Sequence, residues 1–296
     1  MKYWWVNQTD NWHHEFEGGY LYAGESRNPF RKSILDVRKG DLVICTHGKG
    51  EVRRIYAIGI IASDPSGEIV KRRADRTAGT SVKQAWPEGW EVPIDYDELE
   101  YPVPWAPIRR AIQGKFNAQH FTEKSAGVQG YLFPVPVETA GEILRQINWK
   151  QPDSARFAAP EATPPELFAT AMVAAVMVRI GHQKWSDGVK RMWGECCCAT
   201  GFNVRRLLRA SHIVPWHEEE RSRLDPYNGL CLSPAYDAAF DAHLITFWDD
   251  GHILLADGFD AESARLIGIN PATQITGLLP GHLEYLKRHR TAFKRA

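Results

Sequence analysis

Three features are missing from this sequence, and each removes a class of protein. Net charge is absent: 36 Lys and Arg balance 36 Asp and Glu. A protein that coats nucleic acid or anionic membrane through its total charge is therefore disfavoured. A disulfide framework is absent too, because the five cysteines are odd in number and Cys196, Cys197 and Cys198 are adjacent. No apolar run is long enough to cross a bilayer. The longest, Leu167 to Val178, has twelve residues, against the roughly 18–20 that a span needs. The stretch MKYWWVNQTD also lacks the apolar core and cleavage site of a secretory signal. The expectation is a soluble, cytoplasmic protein with no membrane partner.

What is present is an ordinary globular composition, with 44% apolar and 24% charged residues. A chain of 296 residues suggests two domains at roughly 100–200 residues each. The first, residues 1–150, has short runs rich in β-formers separated by turn signals such as Asp64-Pro65-Ser66-Gly67. Its expected strands are Tyr3–Val6, Asp41–Thr46, Ile55–Ala62, Trp90–Ile94 and Tyr131–Val137, forming a β-barrel. Residues 151–165, rich in Pro and Ala, read as a linker. The second domain, residues 166–296, should open with a buried helix over Leu167–Val178, stopped by Gly181, and a second helix over Lys184–Gly194. Strand, loop, strand and helix follow, then a hairpin at Asp249-Asp250-Gly251 and a basic C-terminal helix. The fold class is α+β.

The C-terminal half carries the chemistry. His212 ends one expected strand, Asn228 begins the next, and Asp237 and Asp241 follow four residues apart on a helix. Positions i and i+4 share a helix face, so both carboxylates can turn toward the histidine. Hydrolysis of a phosphodiester needs a base for water, which His supplies near neutral pH. It also needs a cation to absorb charge on the phosphorane. Carboxylates suit Mg²⁺ or Mn²⁺.

The blocks Cys198-Ala199-Thr200-Gly201, Ser211-His212-Ile213-Val214-Pro215-Trp216 and Asn228 to Asp241 together resemble the HNH, or ββα-metal, endonuclease family. That resemblance implies His212 as general base and Asn228 as the residue that fixes the loop and orients it. It implies Asp237 as a metal ligand and Asp241 as a further one. Many members of the family place Asp or His before the base, where this chain has Ser211. Either Ser211 binds the metal through water or the two aspartates carry it. Cys198 and Cys231 are expected to pack in a core, and structural zinc is not expected because only Cys231 could partner the cysteine cluster at a distance.

In the N-terminal half, Tyr3-Trp4-Trp5-Val6-Asn7-Gln8 is followed by Trp12, Tyr20, Tyr22 and Gly40-Asp41-Leu42-Val43. Aromatics with a few polar groups suit a pocket for a flat base. Trp and Tyr also serve as ordinary core and strand residues, so the residues alone leave both uses open. These blocks resemble the EVE domain, a PUA-like barrel that reads modified nucleobases. The resemblance implies a base cage, with Trp5, Asn7, Trp12, Tyr20 and Tyr22 as candidates. An EVE domain followed by HNH is similar to the modification-dependent, type IV-like restriction endonucleases of phage defence. It implies cleavage of double-stranded DNA carrying 5-methylcytosine or 5-hydroxymethylcytosine after base flipping. Because one HNH site cuts one strand, a homodimer is the simplest route to a double-strand break. Two rivals stand beside this reading: a plain HNH nuclease or nickase, and a modified-base binding protein with an inactive HNH remnant.

Neutrality overall does not mean neutrality everywhere. Arg31 and Lys32, Arg72 and Arg73, and Arg205, Arg206 and Arg209 form local basic clusters. They are the candidates for contact with the DNA backbone.

Overall fold

The computed structural model describes the chain except residues 9–11, 26–31, 71–87, 113–130, 149–150, 152–156, 159, 161, 216–217 and 294–296. The fold is α+β, divided into two compact units, Met1–Ile180 and Gly181–Ala296. The division falls inside a helix, whereas the sequence suggests the 151–165 segment.

The first unit holds strands β1 (Tyr3–Gln8), β2 (Tyr20–Gly24), β3 (Leu42–His47), β4 (Arg54–Ile61), β5 (Ile69–Val70), β6 (Gly89–Pro104) and β7 (Leu132–Val135). They form one curled, half-barrel sheet in the order β2-β6-β4-β3-β1-β7, with β5 on β6. Among the described residues only β1 and β3 run parallel; the other pairs in this sheet are antiparallel. The long β6 makes the curl, pairing with β2 through residues 89–93 and with β4 from Ile94 onward.

The sheet is covered on both faces, and strand alternation sorts its residues. Helix α1 (Trp12–Gly18) precedes β2, and Tyr3 and Trp5 join one core with helices α2 (Trp105–Ile112) and α3 (Val137–Asn148). Trp4 and Val6 join the opposite core with Leu21, Val43, Cys45 and Tyr56. Burial on both sides is why the tandem Trp motif is apolar throughout. Asp41 explains the Gly-Asp-Leu-Val block. Its buried carboxylate accepts from Trp4 Nε1 (2.9 Å), the Lys2 amide (2.7 Å) and the Arg38 amide (3.0 Å). Gly40 makes the turn before it at φ 88°.

Helix α4 runs unbroken over Pro165–Met192. Two separate helices are expected from the sequence, but Gly181 does not stop the helix. Its cost of about 1 kcal/mol is offset by burial on either side of it: Phe168, Met172, Val176 and Ile180 pack in one core, and Trp185 and Val189 in another. Nor is the segment apolar on every side and buried, as its composition suggests: Leu167, Met177 and Val178 are exposed.

The second unit contains β8 (Arg209–His212), β9 (Gly229–Leu232), α5 (Pro234–Asp241), β10 (Ile245–Phe247), β11 (Ile253–Leu255), α6 (Ala261–Leu266) and α7 (Pro280–Phe293). Strands β8 and β9 pair antiparallel, with His212 opposite Gly229. Gly229 is required there, since a Cβ would sit 2.4 Å from Val189. Cys197 and Cys231 are buried in the core of this unit, and Cys198 packs against it.

Candidate functional site

Strand β8 ends with Ser211 and His212, and α5 lies against β8 with Asp237 and Asp241 one turn apart. A cavity of about 460 Å³ is lined by Arg209, Ser211, His212, Asp237, Asp241 and His243, among others. Four residues singled out in the sequence for chemistry thus converge on one cavity.

His212 is held on two sides. Its ring stacks on Trp185 at 3.5 Å and 8°. Its Nε2 lies 3.0 Å from the Arg223 carbonyl. A carbonyl only accepts, so Nε2 carries the proton and Nδ1 carries the lone pair of the neutral ring. Burial lowers its pKa below the ordinary histidine value, the carbonyl opposes that shift, His182 adds to it and Asp241 opposes it. The ring is neutral at pH 7, the form that can take a proton.

Asn228 is fully buried and does not face the cavity. Its Oδ1 accepts from the Val214 amide (2.8 Å), and its Nδ2 donates to the carbonyls of Val214 (3.0 Å) and Ser222 (3.1 Å). It ties down the loop that leaves His212. Asn228→Ala strands three buried backbone groups at roughly 1–3 kcal/mol each. Chemical denaturation is expected to show a loss of about 3 kcal/mol or more.

Asp237 is pushed above the usual carboxylate range, first by burial and then by the charge of Asp241, while Ser211 and Arg209 pull it back. Ser211 Oγ donates to Asp241 Oδ1 at 3.2 Å. Two carboxylates one helical turn apart, beside a hydroxyl, form an oxygen donor set suited to a hard divalent cation. No group of three or more His, Cys, Asp or Glu side chains is close enough to hold a metal among the described residues. Water or DNA oxygens would have to complete the shell.

The basic candidates separate. Arg209 is exposed at the cavity. Arg206 and Lys32 are exposed elsewhere. Arg205 is committed to ion pairs with Asp187 (2.7 Å) and Glu195. Arg31, Arg72 and Arg73 lie outside the described residues, as does Trp216.

Of the five cage candidates, Trp5 lies in one core of the first unit and Trp12 packs against the other. Trp5 is 1% exposed, packs on Trp105 at 4.4 Å and donates its indole N–H to Asn7 Oδ1 (2.9 Å). Tyr20 and Tyr22 alternate with Leu21 and Ala23, which face the other core. Trp12 belongs to a half-exposed aromatic group. It stacks on His47 at 4.7 Å and 14° and approaches Tyr56 at 4.6 Å.

Beneath that group lies a buried network absent from the sequence-based candidates. Gln8 donates to Glu15 Oε2 (2.6 Å) and accepts from the Tyr56 hydroxyl (2.5 Å). The Tyr131 hydroxyl also donates to Glu15. Burial raises the Glu15 carboxyl to about 8, against the pull of its hydrogen bonds. No local spacing signals this network, because Tyr131 is 116 positions from Glu15.

Residues 197–248 match the family model described as HNH endonuclease. No curated protein matches the chain. Several solved structures resemble about half of it. Rpa0253 from Rhodopseudomonas palustris is 16% identical over 51% of this chain and 97% of its own, with a TM-score of 0.34. Atu2648 from Agrobacterium tumefaciens is 15% identical over 52% and 100%, also at 0.34. Human THYN1, solved in complex with 5-methylcytosine-containing DNA, is 10% identical over 51% and 100%, at 0.34. The stretch that supplies His212, Asn228, Asp237 and Asp241 is the one that matches the HNH endonuclease family.

Proposed function

We propose that the chain is a modification-dependent DNA endonuclease. In this reading, residues 1–150 read a modified cytosine, 151–165 link, and 166–296 cut. The observation that carries the nuclease half is the convergence of His212, Asp237, Asp241 and Arg209 on one cavity inside an HNH-matching segment.

His212 Nδ1 takes a proton from the attacking water, and the Trp185 stack and the Arg223 carbonyl keep that nitrogen aimed. Asn228 holds the loop behind it. Arg209 contacts the DNA phosphates, with Lys32 and Arg206 as outlying contacts. Asp237 and Asp241, with Ser211 through water, would hold Mg²⁺ or Mn²⁺, which when bound offsets negative charge on the reacting phosphate.

The reader half rests on the EVE resemblance of the Tyr-Trp-Trp-Val-Asn-Gln and Gly-Asp-Leu-Val blocks. Of the five cage candidates, Trp12 is favoured, because it is half-exposed and stacked with His47. Flipping a base costs a few kcal/mol, which stacking on such a surface offsets. One site cuts one strand, so two copies acting together would give a double-strand break. A cytoplasmic enzyme of phage defence is the setting that fits.

Metal dependence is tested with EDTA. Cleavage of modified plasmid should stop on chelation and return with Mg²⁺ or Mn²⁺ in excess. Persistent cleavage in EDTA would remove Asp237 and Asp241 from the reaction.

A further inference from the structure

Three histidines that line the cavity, His182, His243 and His289, are unused by this scheme. His243 follows α5 and lines the cavity with the aspartates. It adopts φ 53°, and among the described residues only Glu195 shares a positive φ without being glycine. A side chain in that conformation carries a backbone cost, and such residues collect at functional sites.

The hydrogen bonds behind His243 define which of its ring nitrogens accepts. His289 on α7 is 3% exposed and stacks flat on Phe240 at 3.9 Å. Its Nε2 lies 3.2 Å from the Phe240 carbonyl and 3.1 Å from His243 Nδ1. Its Nδ1 lies 2.9 Å from Thr246 Oγ1. Because the carbonyl can only accept, His289 Nε2 holds the proton. The bare Nδ1 of His289 then accepts from the Thr246 hydroxyl. His243 Nδ1, facing an N–H, must be the bare acceptor. The proton of neutral His243 therefore sits on Nε2. Burial also lowers the His289 pKa to about 4, so this ring stays neutral at working pH.

We propose that His243 is a phosphate-contacting residue, its Nε2–H donating to an oxygen of the scissile phosphodiester, with His289 and Thr246 as positioning residues that fix the tautomer. A neutral imidazole presented as a donor stabilises charge as it develops on the phosphate. It offers a metal no lone pair at that nitrogen, so His243 is not the ligand that Ser211 fails to supply. The inference rests on the nuclease reading for its substrate, but the tautomer does not.

His243→Gly tests it without endangering the fold, since glycine relieves the positive φ. The variant should unfold at the same temperature as the natural protein or higher. Its kcat on modified plasmid should fall about 100-fold, the loss seen when one such donor is removed. Its KM for DNA and its half-saturating Mg²⁺ concentration should change little. Added imidazole should restore part of the rate. A kcat within about threefold of the natural protein, or a raised Mg²⁺ requirement, would overturn the assignment. If the natural protein cuts no DNA, the nuclease reading fails and the tautomer still decides this one. Nitrogen-15 NMR of the metal-free protein should show His243 protonated at Nε2 and bare at Nδ1. The reverse pattern overturns the proposal.

Discussion

Replacing His212 with alanine is expected to lower cleavage by about 10²–10⁴-fold, the usual contribution of a positioned general base. The effect should fall on kcat. Binding of modified duplex should survive, since His212 contributes no charge at pH 7 and lies outside residues 1–150, the proposed reader. Two contacts make the loss specific. Trp185 covers one face of the ring, and the Arg223 carbonyl takes the Nε2 proton, so the ring is aimed before substrate arrives. His212→Gln keeps a polar group but not a basic nitrogen, and it should be as inactive as alanine. Single-turnover rates of both variants at saturating DNA make the comparison. Near-normal rates would remove His212 from the chemistry.

The second large effect is on stability. Glu15 is 4% exposed, and burial raises its carboxyl to about 8 in the folded chain. Unfolded, it titrates near the ordinary carboxylate value. Between those two values the folded state holds a proton that the unfolded state has released. Stability is therefore full below the unfolded value and falls as pH rises toward 8, by up to about 1.4 kcal/mol per pH unit. Glu15→Gln keeps the shape and removes the titration. Urea unfolding at pH 5 and pH 8 should show a loss of several kcal/mol in the natural chain and a flatter profile in the variant. Parallel profiles would mean that Glu15 is not held protonated.

The residues that line the cavity were more legible in the sequence than the aromatic packing of the first unit, for a physical reason. His212, Asn228, Asp237 and Asp241 lie within 30 positions on consecutive elements, so helix and strand periodicity can bring them together. Residues far apart in sequence leave no such trace. His289 is 46 positions from His243, and Tyr131 reaches Glu15 across 116 positions because β7 pairs with β1. Strand β6 was legible only at its start. Its continuation, Ile94 to Pro104, is acidic and carries two prolines, features that read as loop although the strand pairs with β4. The tandem Trp shows the limit of composition. Both rings are buried, on opposite faces of one sheet, which aromatic content alone cannot distinguish from a cage. Charge pairing is equally hidden from composition: Arg205, a candidate DNA contact, faces Asp187 and Glu195.

The most direct test compares matched plasmids carrying cytosine, 5-methylcytosine, 5-hydroxymethylcytosine or glucosylated hydroxymethylcytosine, digested with Mg²⁺ or Mn²⁺ present. A modification-dependent nuclease should cut at least one modified plasmid and spare the unmodified one, and His212→Ala should cut none. Equal cutting of all four would leave a plain HNH nuclease. Binding of modified DNA with no cutting under any metal would leave a reader with an inert nuclease remnant, and either result would contradict the proposed function.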